Sequence, residues 1–137
     1  MKILILGAGA VGGYFGGRMA EAGIDVTFLV RDKRKQKLEK TGLIIKSPKG
    51  DFSMKPNLVT LDKVDNIFDV IVLTNKAYDL DEILQSTFPV KDGSTIIPLL
   101  NGYAHMEKLR NKFQNARLFG GIAHIFSTLN EEGEIHH

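Results

Sequence analysis

Apolar residues arrive in short unbroken blocks separated by polar stretches with helical spacing. The first block, KILIL at Lys2–Leu6, is bounded by glycine. It reads as a strand buried on both faces, as in a parallel sheet. A helix is expected from about Ala10 to Ala22, closed by Gly23, and a second strand over Asp25–Val30. A charged helix should follow over Lys33–Lys40, with Asp32 as its N-cap. Leu43–Lys46 and Phe52–Lys55 flank Pro48 and Gly50, the pattern of a hairpin. NLVT is a short extended piece. Asp69–Thr74 and Ser94–Leu100 are further apolar strands. Asp79–Phe88 and His105–Phe113 have helical periodicity, and Ala116–Leu129 reads as extended, in two strands broken at Gly120-Gly121. Alternating strands and helices define an α/β doubly wound, mostly parallel sheet. Ligands of such sheets bind at the carboxyl ends of the strands.

Against this pattern one segment is costly. Gly12, Gly13, Gly16 and Gly17 all fall inside the first helix, and each glycine there costs about 1 kcal/mol relative to alanine. Gly12 and Gly16 share one face, Gly13 and Gly17 another. Faces without side chains permit close approach, either of the sheet or of a ligand. Gly7-Ala8-Gly9-Ala10-Val11-Gly12 is a GxGxxG between a buried strand and a helix, with a second strand after it. That context points to a dinucleotide. Gly7 permits the turn, Gly9 lets backbone approach a pyrophosphate, and Gly12 lets helix and strand close.

The second strand ends FLVR. Where an NAD enzyme carries an acidic residue for the ribose hydroxyl, this chain has Arg31, with Lys33 and Arg34 behind it. A guanidinium suits a 2′-phosphate, so NADPH is expected over NADH. Past the next strands lie Lys76, in TNKAYD, and Asn101, before Gly102. Lys76 fits either a solvated loop or a cation facing cofactor or anionic substrate. Asn101 fits either a cap or turn residue, or an amide that positions a carbonyl at the nicotinamide.

Composition narrows the classes. The 137 residues fit one domain, over 1–137. Eighteen basic and 16 acidic residues give a net charge of +2, too balanced to imply nucleic acid or a membrane surface. No apolar run has the length of a membrane span or of a signal peptide core. Cysteine is absent, which removes disulfides, thiolate metal sites and cysteine nucleophiles. A cytoplasmic protein is expected. The four histidines show no metal-ligand spacing, and no GxSxG elbow or GxxxxGK[ST] loop occurs. His124 reads as a strand or loop residue, because no carboxylate partner accompanies it.

ILGAGAVGGYFGGRMAEAG, DVTFLVR, GLIIKSPKGD, IVLTNKAYDLD and IIPLLNG, in this order and spacing, resemble the amino-terminal domain of ketopantoate reductases. The resemblance runs over essentially the whole chain. It implies a Rossmann-like fold, the cofactor NADP(H) and a small-molecule keto acid substrate, with reduction of 2-dehydropantoate to pantoate on the route to pantothenate and coenzyme A. By matching positions, Gly7, Gly9 and Gly12, with Ala10 and Val11 between them, would hold the pyrophosphate. Arg31 would hold the 2′-phosphate, Lys76 would contact the cofactor, and Asn101 would lie at nicotinamide and substrate. The stretch Gly121–Ala123 would lie close to the cofactor, through Ala123. The family's helical second domain, which carries the general-acid lysine, is not found in these residues. A C-terminally truncated domain that binds cofactor with little or no turnover is therefore expected, with a homodimer through an open sheet edge as a further expectation. A non-catalytic NADPH-binding module and a reductase of another 2-keto acid are the alternatives. EEGEIHH resembles a late strand of that domain, and His136-His137 fit either native sequence or the residue of a tag.

Overall fold

The computed structural model describes residues 1–65, 67–74 and 77–137. In chain order the first elements are β1 (Lys2–Leu6), α1 (Ala10–Glu21), β2 (Asp25–Leu29), α2 (Asp32–Thr41), β3 (Leu43–Lys46), β4 (Phe52–Met54) and β5 (Asn57–Val59). There follow β6 (Val70–Leu73), α3 (Ala77–Gln85), β7 (Thr95–Pro98), α4 (Ala104–Lys112), β8 (Arg117–Leu118), β9 (Thr128–Leu129) and β10 (Ile135–His136).

The apolar blocks build a six-stranded sheet of order β5-β2-β1-β6-β7-β8, parallel throughout. β1 lies near its centre, and its side chains alternate between two cores. Ile3 and Ile5 join one cluster with Val26, Phe28, Leu43, Ile45 and Ile135. Leu4 and Leu6 join the other with Leu73, Leu80, Ile83, Ile96 and Leu109, from β6, α3, β7 and α4. A strand covered on both faces needs apolar residues at every position, which is why KILIL lacks a polar alternation.

A second sheet, β4-β3-β10-β9, covers the outer side of α1. The β3–β4 pair is the expected antiparallel hairpin. β10 is the strand whose place the sequence pattern does not give. It lies between β3, to which it is parallel, and β9, to which it is antiparallel, and its Ile135 is fully buried. The two final histidines belong to this packing. His137 N–H donates to Lys46 O at 2.9 Å, its Nδ1 lies 2.7 Å from Ser47 Oγ, and its ring lies 4.4 Å from that of Tyr14.

The four helical glycines follow from this layering, since α1 is pressed between the two sheets. A Cβ on Gly16 would lie 2.7 Å from Phe28 Cζ, and one on Gly12 would run into Gly7 O and Thr74 Oγ1. On the other face, a Cβ on Gly17 would lie 2.6 Å from Ile45 Cδ1, and one on Gly13 would run into Ile135 Cδ1. Each glycine pair therefore serves one sheet, and the helical penalty is offset by burial on both sides.

Several expected boundaries shift. Arg31, not Asp32, is the N-cap of α2: Lys35 N–H donates to Arg31 O at 2.9 Å, and Asp32 sits in the first turn, where its charge suits the helix dipole. α3 ends at Gln85 rather than Phe88. The Ser86 hydroxyl donates to Ile83 O and accepts the Phe88 N–H, a local turn that competes with helix, and Pro89 follows. α4 takes Tyr103 as its N-cap, so Asn101 does not cap it. The expected strand pair over Ala116–Leu129 is reduced to two short pieces in different sheets, β8 in the first and β9 in the second. The residues between them carry the chain from one sheet to the other.

Candidate functional site

The carboxyl ends of β1, β2, β6 and β7 lie side by side, because Leu6 is in register with Leu29 and Leu73, and Leu73 with Pro98. The glycine turn stands at the middle of this edge. Gly7 has φ of 102°, a conformation glycine adopts without strain. Its N–H donates to Leu29 O at 2.9 Å. Gly9 is the N-cap of α1, with no side-chain cap and no acidic residue in the first turn. A Cβ placed on Gly9 would meet nothing within 4 Å. The helix start is thus open and uncapped, and its first N–H groups are available to an anion. Ala10 and Val11, the next two positions, are half-buried.

Three side chains that the motif does not include fasten this turn. Thr74, just past β6, donates its hydroxyl to Leu6 O at 2.8 Å. Ser127, just before β9, donates to Ala10 O at 2.7 Å. Arg34, on α2, donates from Nε and Nη2 to Ala8 O at 3.0 and 2.8 Å, and reaches Gly133 O at 3.4 Å. Burial lowers the Arg34 pKa from its ordinary value, and the charge is held between carbonyls. In sequence Arg34 lies close behind Arg31, but the structure turns it inward as a strut between the glycine turn and the β9–β10 turn. Only its arrangement in three dimensions distinguishes the two roles, since the partners lie 26 and 99 residues away.

Arg31 stands at the same edge, two residues beyond β2, with its side chain 68% exposed. Its Nη2 lies 2.8 Å from Glu82 Oε2 of α3. Asn101 is exposed, three residues past the end of β7. Beside it a cavity of about 450 Å³ is lined by Leu100, Tyr103, Met106, Gly121 and Ile122, among others. Ala123 is half-buried in the crossing segment between β8 and β9. Lys76 lies outside the described residues. The structure therefore brings Gly7, Gly9, Gly12, Arg31 and Asn101 to one edge of one sheet. Thr74, Ser127 and Glu82 bond to residues at this edge, and nothing in the sequence pattern singles them out.

A six-stranded parallel sheet with a glycine turn at the carboxyl edge of its central strand defines a Rossmann-like α/β fold. Residues 3–137 match the family described as ketopantoate reductase PanE/ApbA, and the chain belongs to that family. It is 48% identical over 138 residues to the uncharacterized oxidoreductase YkpB of Bacillus subtilis, covering all of this chain and 45% of that protein. Among solved structures, a 2-dehydropantoate 2-reductase from Geobacter metallireducens is 30% identical, with a TM-score of 0.87, over all of this chain and 46% of that one. D-mandelate dehydrogenase, solved with NADH and anilino(oxo)acetate, is 26% identical with a TM-score of 0.86, over 99% of this chain and 45% of that one. The chain thus spans about half the length of the relatives it matches. Among the described residues, no helix is long and apolar enough to cross a membrane.

Proposed function

We propose that this chain is the NADPH-binding portion of a 2-dehydropantoate reductase, an oxidoreductase that converts a 2-keto acid to a 2-hydroxy acid on the route to pantothenate and coenzyme A. The observation that carries this reading is Arg31 at the carboxyl end of β2, on the same sheet edge as the open, uncapped start of α1. An uncapped helix start suits a pyrophosphate, and an exposed guanidinium suits a 2′-phosphate. Gly7, Gly9, Ala10, Val11 and Gly12 would supply the backbone cradle. A bound nicotinamide would supply the hydride for the ketone carbon.

The remaining work falls to side chains. Asn101 would orient the ketone oxygen by hydrogen bonding. Ala123 would flank the cofactor, and Lys76 would contact it. The alkoxide formed on reduction needs a proton donor. Lys76 is the one local group this reading offers, and an ordinary lysine, with pKa near ~10.4, is a weak acid for that task. The 137-residue chain alone is therefore expected to bind coenzyme with little or no turnover. On this reading the domain works in the cytoplasm, and a homodimer formed along an open sheet edge is expected. Sedimentation at rising concentration tests the dimer, and a constant monomer mass excludes it.

Titration of the chain with NADPH and NADH, each with and without 2-dehydropantoate, tests the reading. NADPH should bind more tightly, and Arg31→Ala should remove about tenfold to a hundredfold of that affinity while sparing NADH, as expected for charged hydrogen bonds. Undiminished NADPH binding by Arg31→Ala would refute the assignment. A second reading, a reductase of another 2-keto acid, is favoured by the likeness to the mandelate enzyme. It is separated by comparing keto acids for mutual enhancement with the coenzyme.

A further inference from the structure

The guanidinium assigned above to the 2′-phosphate already faces a carboxylate. Arg31 Nη2 and Glu82 Oε2 are 2.8 Å apart, joining the end of β2 to α3 across 51 residues of sequence. The neighbouring acid points elsewhere: Asp81 Oδ1 takes Lys108 Nζ of α4 at 3.3 Å. Of these two adjacent acids, then, it is Glu82 that meets Arg31.

We propose that Glu82 is a specificity-determining residue that lowers the domain's preference for NADPH over NADH, by opposing the 2′-phosphate at Arg31. The inference rests on the reading that Arg31 is the 2′-phosphate site. A phosphate recognised bidentately needs two donors of one guanidinium fork, and Glu82 occupies a donor of that fork. A phosphate monoester carries about −1.5 to −2 charges near neutral pH. Brought to Arg31, it lies within a few ångströms of the Glu82 carboxylate, and the like charges repel. NADH brings a neutral 2′-hydroxyl instead. It leaves the ion pair in place, and a carboxylate can accept that hydroxyl, as acidic residues do in NAD-binding domains. Glu82 thus penalises one coenzyme and tolerates or assists the other. Both side chains are more than half exposed, so water and salt weaken the effect to about two- to fivefold, the range of an exposed charge pair.

The experiment is coenzyme titration of the 137-residue chain by nicotinamide fluorescence, at low and high salt, for the wild type, Glu82→Gln, Asp81→Asn and Arg31→Ala, with thermal melts to confirm folding. Glu82→Gln should tighten NADPH by about two- to fivefold at low salt, and less at high salt. It should leave NADH unchanged or weaker. Asp81→Asn, which removes the same charge one residue away, should not shift the ratio. If Glu82→Gln weakens NADPH, the carboxylate positions Arg31 instead of opposing the phosphate, and the inference is overturned. An unmoved ratio, or an equal shift in Asp81→Asn, also overturns it. In those cases a selective loss of NADPH by Arg31→Ala leaves the proposed function standing. Failure of Arg31→Ala to weaken NADPH refutes both.

Discussion

The Arg34 guanidinium donates two hydrogen bonds to the carbonyl of Ala8, at 2.8 and 3.0 Å, and so ties α2 to the glycine turn from behind. Arg31, three residues earlier on the chain, points outward to Glu82. Two arginines of one basic run therefore have opposite tasks, and they should respond differently to substitution. Arg34→Ala leaves a carbonyl of the turn unpaired beside α1. Hydrogen bonds to charged groups contribute about 1.5–3 kcal/mol. The variant should lose stability on that order and bind NADPH and NADH more weakly by the same factor. Denaturant midpoints and paired coenzyme titrations check this. A loss confined to NADPH would make Arg34 a phosphate ligand rather than a strut.

Gly12 tests the near side of α1. A Cβ there would strike Gly7 O, which is backbone, and Thr74 Oγ1, which already donates to Leu6 O. Neither can retreat without breaking the turn. Gly12→Ala should cost about 1–3 kcal/mol of stability, the range for overpacking. It should also weaken coenzyme binding, because the displaced atoms belong to the turn itself. Binding unaffected in a destabilised variant would separate the turn from the site.

Gly13 tests the far side, where the answer should differ. A Cβ there meets Ile135 Cδ1, the tip of a flexible side chain in β10. Gly13→Ala should be destabilised through contact with the second sheet, with coenzyme affinity retained in the folded protein. Ile135→Val removes the offending methyl at a cost of about 0.5–1.5 kcal/mol. The double variant should therefore be less destabilised than the sum of the two single changes. Additive losses in a double-mutant cycle would mean that position 13 and Ile135 do not meet.

The main sheet was legible because parallel strands buried on both faces leave continuous apolar runs, as KILIL and DVIVLT do. The glycine turn was legible because strand, turn and helix are contiguous. The position of Arg31 was legible because it directly follows DVTFLV, the second apolar run of the chain. The second sheet was half hidden. Its hairpin has local turn chemistry at Pro48 and Gly50, but β10 has two residues, and its burial comes from Ile45 and α1, far away in sequence. No periodicity can register in so short a strand. Thr74, Ser127 and Arg34 were illegible for a related reason. Each satisfies a backbone carbonyl 26 to 117 residues distant, and ordinary polar residues carry no pattern that names a remote partner.

The amino end of the sheet is held by charge, and its pH dependence has a definite sign. Asp69 precedes β6. It takes Lys91 Nζ at 2.6 Å and the Lys2 N–H at 2.8 Å. The hydrogen bond from Lys91, followed by that from the Lys2 backbone, holds the Asp69 carboxyl below its ordinary value. A carboxyl depressed in the folded state stabilises the fold above the unfolded pKa, about 3.9 for aspartate, and loses that contribution as pH falls through the folded value. Denaturant midpoints should therefore fall on acidification below pH ~4 in the wild type. Asp69→Asn, which cannot titrate, should begin less stable at neutral pH and show a shallower acid limb. Parallel acid limbs in the two proteins would show that the Lys2–Asp69–Lys91 link contributes nothing to holding β1 against β6.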